Sequence, residues 1–105
     1  MIEISDYTLI QILQQNNNLI IDCWAEWCGP CKAFDPIFKE VAEENTSISF
    51  AKVNVDECPD ASRKLDVKAI PTILFFKNGN LVDRIVGTTS KEDMINRIRK
   101  HYEIY

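Results

Sequence analysis

The stretch LIIDCWAEWCGPCK, residues 19–32, joins a short apolar run to two cysteines that are separated by two residues. The run at 19–25 is too brief for a helix and lies between turn signals, so it predicts a strand buried on both faces. Apolar side chains at i, i+3, i+4, i+7 and i+8 over residues 34–42 then predict an amphipathic helix. The cysteine pair therefore lies at a strand-to-helix junction, unless that helix begins only at Pro36.

Turn residues and apolar spacing predict the elements on either side of this junction. A first helix is expected over residues 6–16, behind Ser5 as a candidate cap. Residues 48–55 alternate in polarity as a strand does, and Pro59 suits the first turn of a short helix. Helices and strands thus alternate along this half of the chain, as in α/β proteins.

The second half of the chain predicts a hairpin followed by a helix. Strands at 72–77 and 80–86 flank Asn78-Gly79, the strongest short hairpin signal, so these strands should be antiparallel. Ser90 is a candidate N-cap for a last helix that ends in basic residues. With no repeat or linker, residues 1–105 are interpreted as one α/β domain with a mixed central sheet and helices on both faces.

Charge and hydropathy exclude several classes of binding partner and indicate a cellular compartment for the protein. The net charge of −4 argues against nucleic acid or an acidic membrane surface as a partner, because both require clustered basic residues. The first eight residues, MIEISDYT, lack the basic and apolar regions of a signal peptide, and no apolar run reaches membrane-spanning length. We therefore expect a cytoplasmic protein that acts on proteins or small molecules without membrane contact.

The Cys28/Cys31 pair fits neither a metal site nor a structural staple. A structural zinc site needs four ligands in two clusters, and the remaining candidates Cys23, Cys58 and His101 are scattered, so no metal is expected. A disulfide closing so short a loop removes little entropy from the unfolded chain. The short loop instead gives each sulfur a high effective concentration for the other, which suits a pair that opens and closes.

The position of the cysteine pair predicts a role for each sulfur, and the buried Asp22 is a candidate general base. Free N–H groups and the helix dipole at a helix amino terminus lower a thiol pKa, so Cys28 is the expected nucleophile and Cys31 the resolving thiol. Asp22 lies inside the apolar run, where burial should raise its pKa toward that of a general base. Two alternatives stay open: in the first, Asp22 bonds a loop or faces solvent instead, and in the second, Lys52 is a solvated lysine and not the partner of Asp22.

Several motifs together resemble those of the thioredoxin family from end to end of the chain. IIDCWAEWCGPCK, NVD, AIPT and FFKNG, followed by Gly87, stand in that family's order and spacing. The resemblance implies the thioredoxin fold, with a central five-stranded mixed sheet flanked by four α-helices. It also implies a protein-disulfide reductase that cycles between a dithiol and a disulfide at Cys28 and Cys31.

The resemblance carries roles to individual residues. It makes Cys28 the attacking thiolate, Cys31 the resolving thiol, Asp22 the acid that assists proton transfer and Lys52 its basic partner. Further positions tune the pair, pack beside it or bind substrate; these are Gly29 and Pro30 for tuning, Trp24 for packing, and Trp27, Ile70, a cis Pro71 and Gly87 for substrate binding.

The same resemblance implies partners and leaves rivals open. Expected partners are disulfide-containing proteins and a thioredoxin reductase, with this chain a monomer that binds no metal or cofactor itself. Cys23 is expected to be a small core residue and Cys58 an inert thiol near solvent. One rival function reverses the chemistry, as an oxidase or isomerase, and another is a non-enzymatic docking or metal-binding module.

Overall fold

A computed structural model describes residues 1–102 of the chain. Within these residues the chain forms five strands and four helices: β1 (Ile2–Glu3), α1 (Leu9–Gln15), β2 (Asn18–Trp24), α2 (Gly29–Glu44), β3 (Ser49–Asn54), α3 (Pro59–Lys64), β4 (Thr72–Lys77), β5 (Asn80–Val86) and α4 (Lys91–His101). The sheet order is β1-β3-β2-β4-β5. Strands β1, β3 and β2 run parallel, and β4 and β5 complete the sheet in antiparallel pairs. The predicted mixed sheet with four helices is therefore confirmed over the described residues.

The central strand β2 separates two hydrophobic cores. Because side chains alternate along a strand, Ile21 and Cys23 enter the core beneath α1 and α3, whereas Ile20 enters the core beneath α2 and α4. Asp22 shares the face of Ile20, so its carboxylate points toward the helix that carries the cysteine pair. Burial on both faces explains why β2 is an almost continuous apolar run.

The amino-terminal elements differ from expectation in two ways. Helix α1 begins at Leu9, not at residue 6, because the preceding residues form a turn in which the Thr8 N–H donates to the Ser5 carbonyl at 3.2 Å. Ser5 is therefore not the helix cap. No local sequence pattern predicts the position of strand β1, the fifth strand that the family resemblance implies; its two residues are too few for a periodic signal, and it exists through pairing with β3, where Ile2 lies opposite Ala51.

The other boundaries agree with the sequence more closely. Helix α2 begins at Gly29 and runs through Pro36, so the alternative start at Pro36 is wrong. Asn78 and Gly79 have φ values of 53° and 81°, the left-handed pair of a tight hairpin turn. Ser90 caps α4, its Oγ accepting the Asp93 N–H at 3.0 Å.

Candidate active site

Cys28 stands at the junction between β2 and α2. It is the residue before the first helical turn, with an extended backbone, and its Sγ accepts a hydrogen bond from the Cys31 N–H at 3.2 Å. Gly29 and Pro30 form the first helical positions, where the missing N–H of a proline costs nothing. Cys28 and Cys31 form a disulfide, with their Cα atoms 5.3 Å apart. The fold thus places one sulfur where a helix offers free N–H donors.

The disulfide is shielded on most sides. Cys28 is 4% and Cys31 2% exposed, and the pair packs with Ala25 against Trp24, Val55 and Ile70. In contrast, Trp27 is 70% exposed, and its indole N–H donates to the Asp56 carboxylate at 2.8 Å. A reacting partner must therefore approach the sulfurs over a surface that Trp27 borders.

The loop before β4 forms a second border of the site. The Ile70–Pro71 peptide bond is cis, and the Pro71 carbonyl accepts the Gly87 N–H at 2.8 Å. Within residues 1–102, no backbone hydrogen bond uses the N–H or carbonyl of Ile70. A groove of about 270 Å³ runs between this loop and Trp27, lined by Trp27, Val55, Val67, Lys68, Ala69 and Ile70. Of the predicted substrate-binding residues, Trp27 and Ile70 line this groove and Ile70 packs against the disulfide, while Pro71 and Gly87 are joined to each other by the backbone hydrogen bond.

Asp22 is buried, with 1% of its surface exposed, and neither carboxylate oxygen has a hydrogen-bond partner among the described residues. Burial raises the pKa of Asp22 to about 7, because desolvation outweighs the attraction of Lys52, and the nearby charge of Asp35 raises it further. The two alternatives for this side chain, a bond to a loop and exposure to solvent, are both absent from the described structure.

Lys52 and Asp22 are directly opposite each other in the β2–β3 register. However, the Lys52 ammonium makes its direct ion pair with Asp35, at 2.6 Å, and lies 4.4 Å from the centre of the Trp24 ring. Lys39 binds the other oxygen of Asp35 at 2.8 Å. Lys52 therefore acts on Asp22 across space and not through a hydrogen bond.

Asp35 did not stand out in the sequence. It follows Cys31 by one helical turn, and both line a pocket of about 230 Å³ whose wall is formed by Trp24, Glu26, Cys31, Lys32, Asp35 and Lys52. The signal was the i, i+4 spacing from Cys31, which places two helical residues on one face. Burial alone would raise the pKa of Asp35, but hydrogen bonds from Lys39 and Lys52 outweigh it and lower that pKa.

The two remaining cysteines lie in the core on the opposite face of the sheet from α2 and the disulfide. Cys23 is buried in β2, and burial raises its pKa to about 12. Cys58 is also buried, which corrects the expectation of a thiol near solvent: its Sγ donates to the Ile4 carbonyl at 3.3 Å, where α3 meets the chain after β1. Burial also raises the pKa of Cys58. Thiols with raised pKa values are poor nucleophiles.

Residues 1–102 contain neither a cluster of metal-ligating side chains nor a helix that could span a membrane. No group of three or more His, Cys, Asp or Glu side chains there is placed to hold a metal ion. His101, one of the scattered candidates, instead contacts the Asp83 carboxylate at 2.8 Å. In the same residues, every helix is too short or too polar to cross a bilayer.

Comparisons with known proteins agree with this geometry. The family model described as Thioredoxin matches residues 1–100. The chain is 38% identical to a thioredoxin of Mycoplasmoides gallisepticum, over 82% of this chain and 86% of that protein. It is 35% identical to thioredoxin 1 of Synechococcus elongatus, over 93% of this chain and 94% of that protein.

Solved structures give the same answer for the fold. A thioredoxin structure from Plasmodium falciparum superposes with a TM-score of 0.89 at 33% identity, covering 96% of this chain and 99% of that one. A mitochondrial thioredoxin 3 from Saccharomyces cerevisiae, in its oxidised form, gives a TM-score of 0.87 at 31% identity, covering 95% and 94%. With its Cys28–Cys31 redox disulfide, this chain belongs to the thioredoxin family of thiol–disulfide oxidoreductases.

Proposed function

We propose that this chain is a general protein-disulfide reductase in which Cys28 attacks and Cys31 resolves. The observation that carries the assignment is the Cys31 N–H donating to the Cys28 Sγ at the amino terminus of α2. The same donor and the helix dipole would stabilise a Cys28 thiolate in the reduced protein, lowering its pKa.

The proposed cycle balances as two thiol–disulfide exchanges. The Cys28 thiolate attacks one sulfur of a substrate disulfide; a mixed disulfide forms, and the other substrate sulfur leaves as a thiolate. The Cys31 thiolate then attacks the Cys28 sulfur, and the second substrate sulfur leaves. The substrate gains two electrons, and the Cys28–Cys31 pair loses them as its disulfide forms.

Asp22 is proposed to take the proton that Cys31 must lose before it attacks. Its place on the β2 face toward α2, and the absence of a hydrogen-bond partner within the described residues, support this role. A base works best when its pKa is close to the working pH, and the pKa of about 7 meets that condition. Lys52, opposite Asp22 in the sheet, supplies the nearby positive charge.

We propose that substrates lie in the groove between Trp27 and the loop before β4. The unbonded backbone of Ile70 offers a donor and an acceptor to an extended peptide, in the manner of an added strand. The cis bond at Pro71 and the left-handed Gly87, with φ of 91°, shape this border. Gly29 and Pro30 are assigned to setting the geometry, and with it the reducing character, of the cysteine pair.

The remaining parts of the proposal concern how the protein is used. Disulfide-containing proteins are the proposed substrates, and a thioredoxin reductase is proposed to reduce the Cys28–Cys31 disulfide after each cycle. Because a reductase needs a reducing compartment, we place the protein in the cytoplasm. One domain acting as a monomer is sufficient for this chemistry. A docking or metal-binding module is not favoured, because such a module has no need of a redox disulfide.

The test is catalysis of insulin reduction by dithiothreitol, followed by turbidity, with Cys28→Ser as the test variant. Acceleration by the wild type, lost in Cys28→Ser, is expected. Cys58→Ser is the matched control, since it removes a thiol outside the site and should keep the wild-type rate. No acceleration by the wild type, or equal loss in both variants, would contradict the proposed function.

A further inference from the structure

Lys52 lies between two carboxylates and bonds only one of them directly. Its ammonium is 2.6 Å from Asp35, and the two side chains are 12% and 23% exposed, so solvent screens this ion pair only partly. Asp22 is the direct cross-strand neighbour of Lys52, yet neither of its oxygens has a hydrogen-bond partner within residues 1–102. The direct contact of the lysine is with Asp35.

Few other charges face Asp22. From β3 it meets Lys52 and from α2 Asp35, whereas its register partner on β4 is the apolar Ile73. The other charged side chains nearby are more exposed: Lys39 binds the second carboxylate oxygen of Asp35, and Glu26 and Lys32 pair with each other at 3.3 Å on the pocket wall. The ease with which Asp22 ionises therefore depends on which of the two carboxylates Lys52 contacts.

We propose that Asp35 is a positioning residue that holds the Lys52 ammonium away from Asp22, so that Asp22 keeps its capacity to accept and return a proton. The inference rests on the proposed role of Asp22 in the reductase cycle. Asp35 acts through Lys52 and touches neither sulfur in this role. The Lys39 contact supports it by fixing the carboxylate of Asp35 from the other side.

The direction of the effect follows from charge alone. A lysine that moves into contact with an aspartate stabilises its ionised form, which lowers the carboxyl pKa by roughly one unit or more. Loss of the Asp35 charge acts in the same direction, because that charge now raises the pKa of Asp22. Without Asp35, Asp22 should stay ionised at neutral pH and accept protons poorly.

The test is the titration of Asp22 in the oxidised protein, followed by the ¹³C shift of its carboxyl carbon. In Asp35→Asn the midpoint should fall by about one pH unit relative to the wild type. Asp60→Asn is the matched control: it removes an exposed aspartate that also forms an ion pair, with Arg63 on α3, and should leave the midpoint in place.

A second background separates positioning of Lys52 from the bare charge of Asp35. In Lys52→Met there is no ammonium to release, so adding Asp35→Asn should shift the midpoint less than it does in the wild type. An unchanged midpoint in Asp35→Asn, or equal shifts in both backgrounds, would overturn the proposal.

This readout is independent of the proposed function, since it uses the oxidised protein without substrate. Failure of the insulin assay would contradict the reductase cycle, whereas failure of the titration would contradict only the positioning role. Where both hold, the pH profile of insulin reduction in Asp35→Asn should move toward lower pH, with Asp60→Asn unchanged.

Discussion

Asp22 and Asp83 lie on strands of one sheet and face the same side of it, yet their surroundings are opposite. Asp83, on β5, contacts the Arg97 guanidinium and the His101 ring at 2.8 Å each, and accepts the Arg84 N–H at 2.8 Å. Asp22, on β2, has no such partner among the described residues. Asp83 therefore links β5 to α4, whereas Asp22 lies beneath α2 without a hydrogen bond from the described residues.

The pKa shifts of the two groups follow from this difference. Burial alone would raise the pKa of Asp83, but hydrogen bonds from His101 and Arg97 outweigh it and lower that pKa. Burial raises the pKa of Asp22 to about 7, since no hydrogen bond opposes it. The pKa of each carboxyl thus reflects both depth and partners: Asp22 is 1% exposed and has no hydrogen-bond partner among the described residues, whereas the Asp83 side chain is 16% exposed and bonded to Arg97 and His101.

The largest expected effect is on turnover. Asp22→Asn removes the proposed proton acceptor and should slow insulin reduction at pH 7 by tenfold or more, as loss of a general base typically costs roughly 100-fold or more. Asp83→Asn is the matched control and should retain the wild-type rate. Equal rates for Asp22→Asn and wild type across about pH 6–9, where thiols titrate, would exclude Asp22 from the mechanism.

The next effect is on the pH dependence of stability, measured by denaturant unfolding of the oxidised protein. The pKa of Asp22 rises from 3.8 to about 7 on folding, so the folded state holds the proton more tightly. Ionisation then costs stability progressively between about pH 4 and 7, on the order of 4 kcal/mol in full.

Asp22→Asn should therefore raise the free energy of unfolding above pH 7, by about 2–4 kcal/mol, with part of the gain offset because the amide also lacks partners. The gain should fade as the pH falls toward 4. If Asp22→Asn were less stable than the wild type at pH 8, the interpretation of Asp22 as an unpaired buried charge would be wrong.

The smallest expected effect is the loss of stability when Asp83 is replaced. Asp83→Asn removes one charge and leaves Arg97 and His101 without their carboxylate, which should destabilise the protein by about 1–3 kcal/mol at pH 7. Because folding lowers the pKa of Asp83, its contribution is present above 3.8 and is lost as the pH falls through the lower folded value. Unfolding at pH 7 and pH 3 measures this, with exposed Asp60→Asn expected to change little. An equal loss at both pH values would contradict the assignment.

Local signals in the sequence predicted most of the fold and the centre of the site. The apolar run before Cys28 and the helical periodicity after it lie within one stretch of chain, so the strand-to-helix junction needed no tertiary information. The same holds for the Asn78-Gly79 turn. The unusual position of Asp22 was visible because a single charge interrupts an otherwise apolar strand.

Features that depend on distant residues could not be predicted in this way. Strand β1 is defined by its pairing with β3, and the contact of Lys52 with Asp35 joins residues from a strand and a helix. Apolar spacing gives no information about such polar contacts. The cis bond at Pro71 came from family resemblance, because an X-Pro sequence alone is usually trans.

The burial of Cys23 and Cys58 has a practical consequence for anyone handling the protein. Burial raises the pKa of both thiols in the core beneath α1 and α3, so an alkylating reagent, which needs a thiolate, should react in the native protein at the Cys28/Cys31 pair, whose first sulfur lies at a helix amino terminus. That pair is itself unreactive while its disulfide is closed. The amount of label bound by the folded chain therefore reports the fraction of Cys28/Cys31 pairs that are reduced. That fraction can be determined without unfolding the protein.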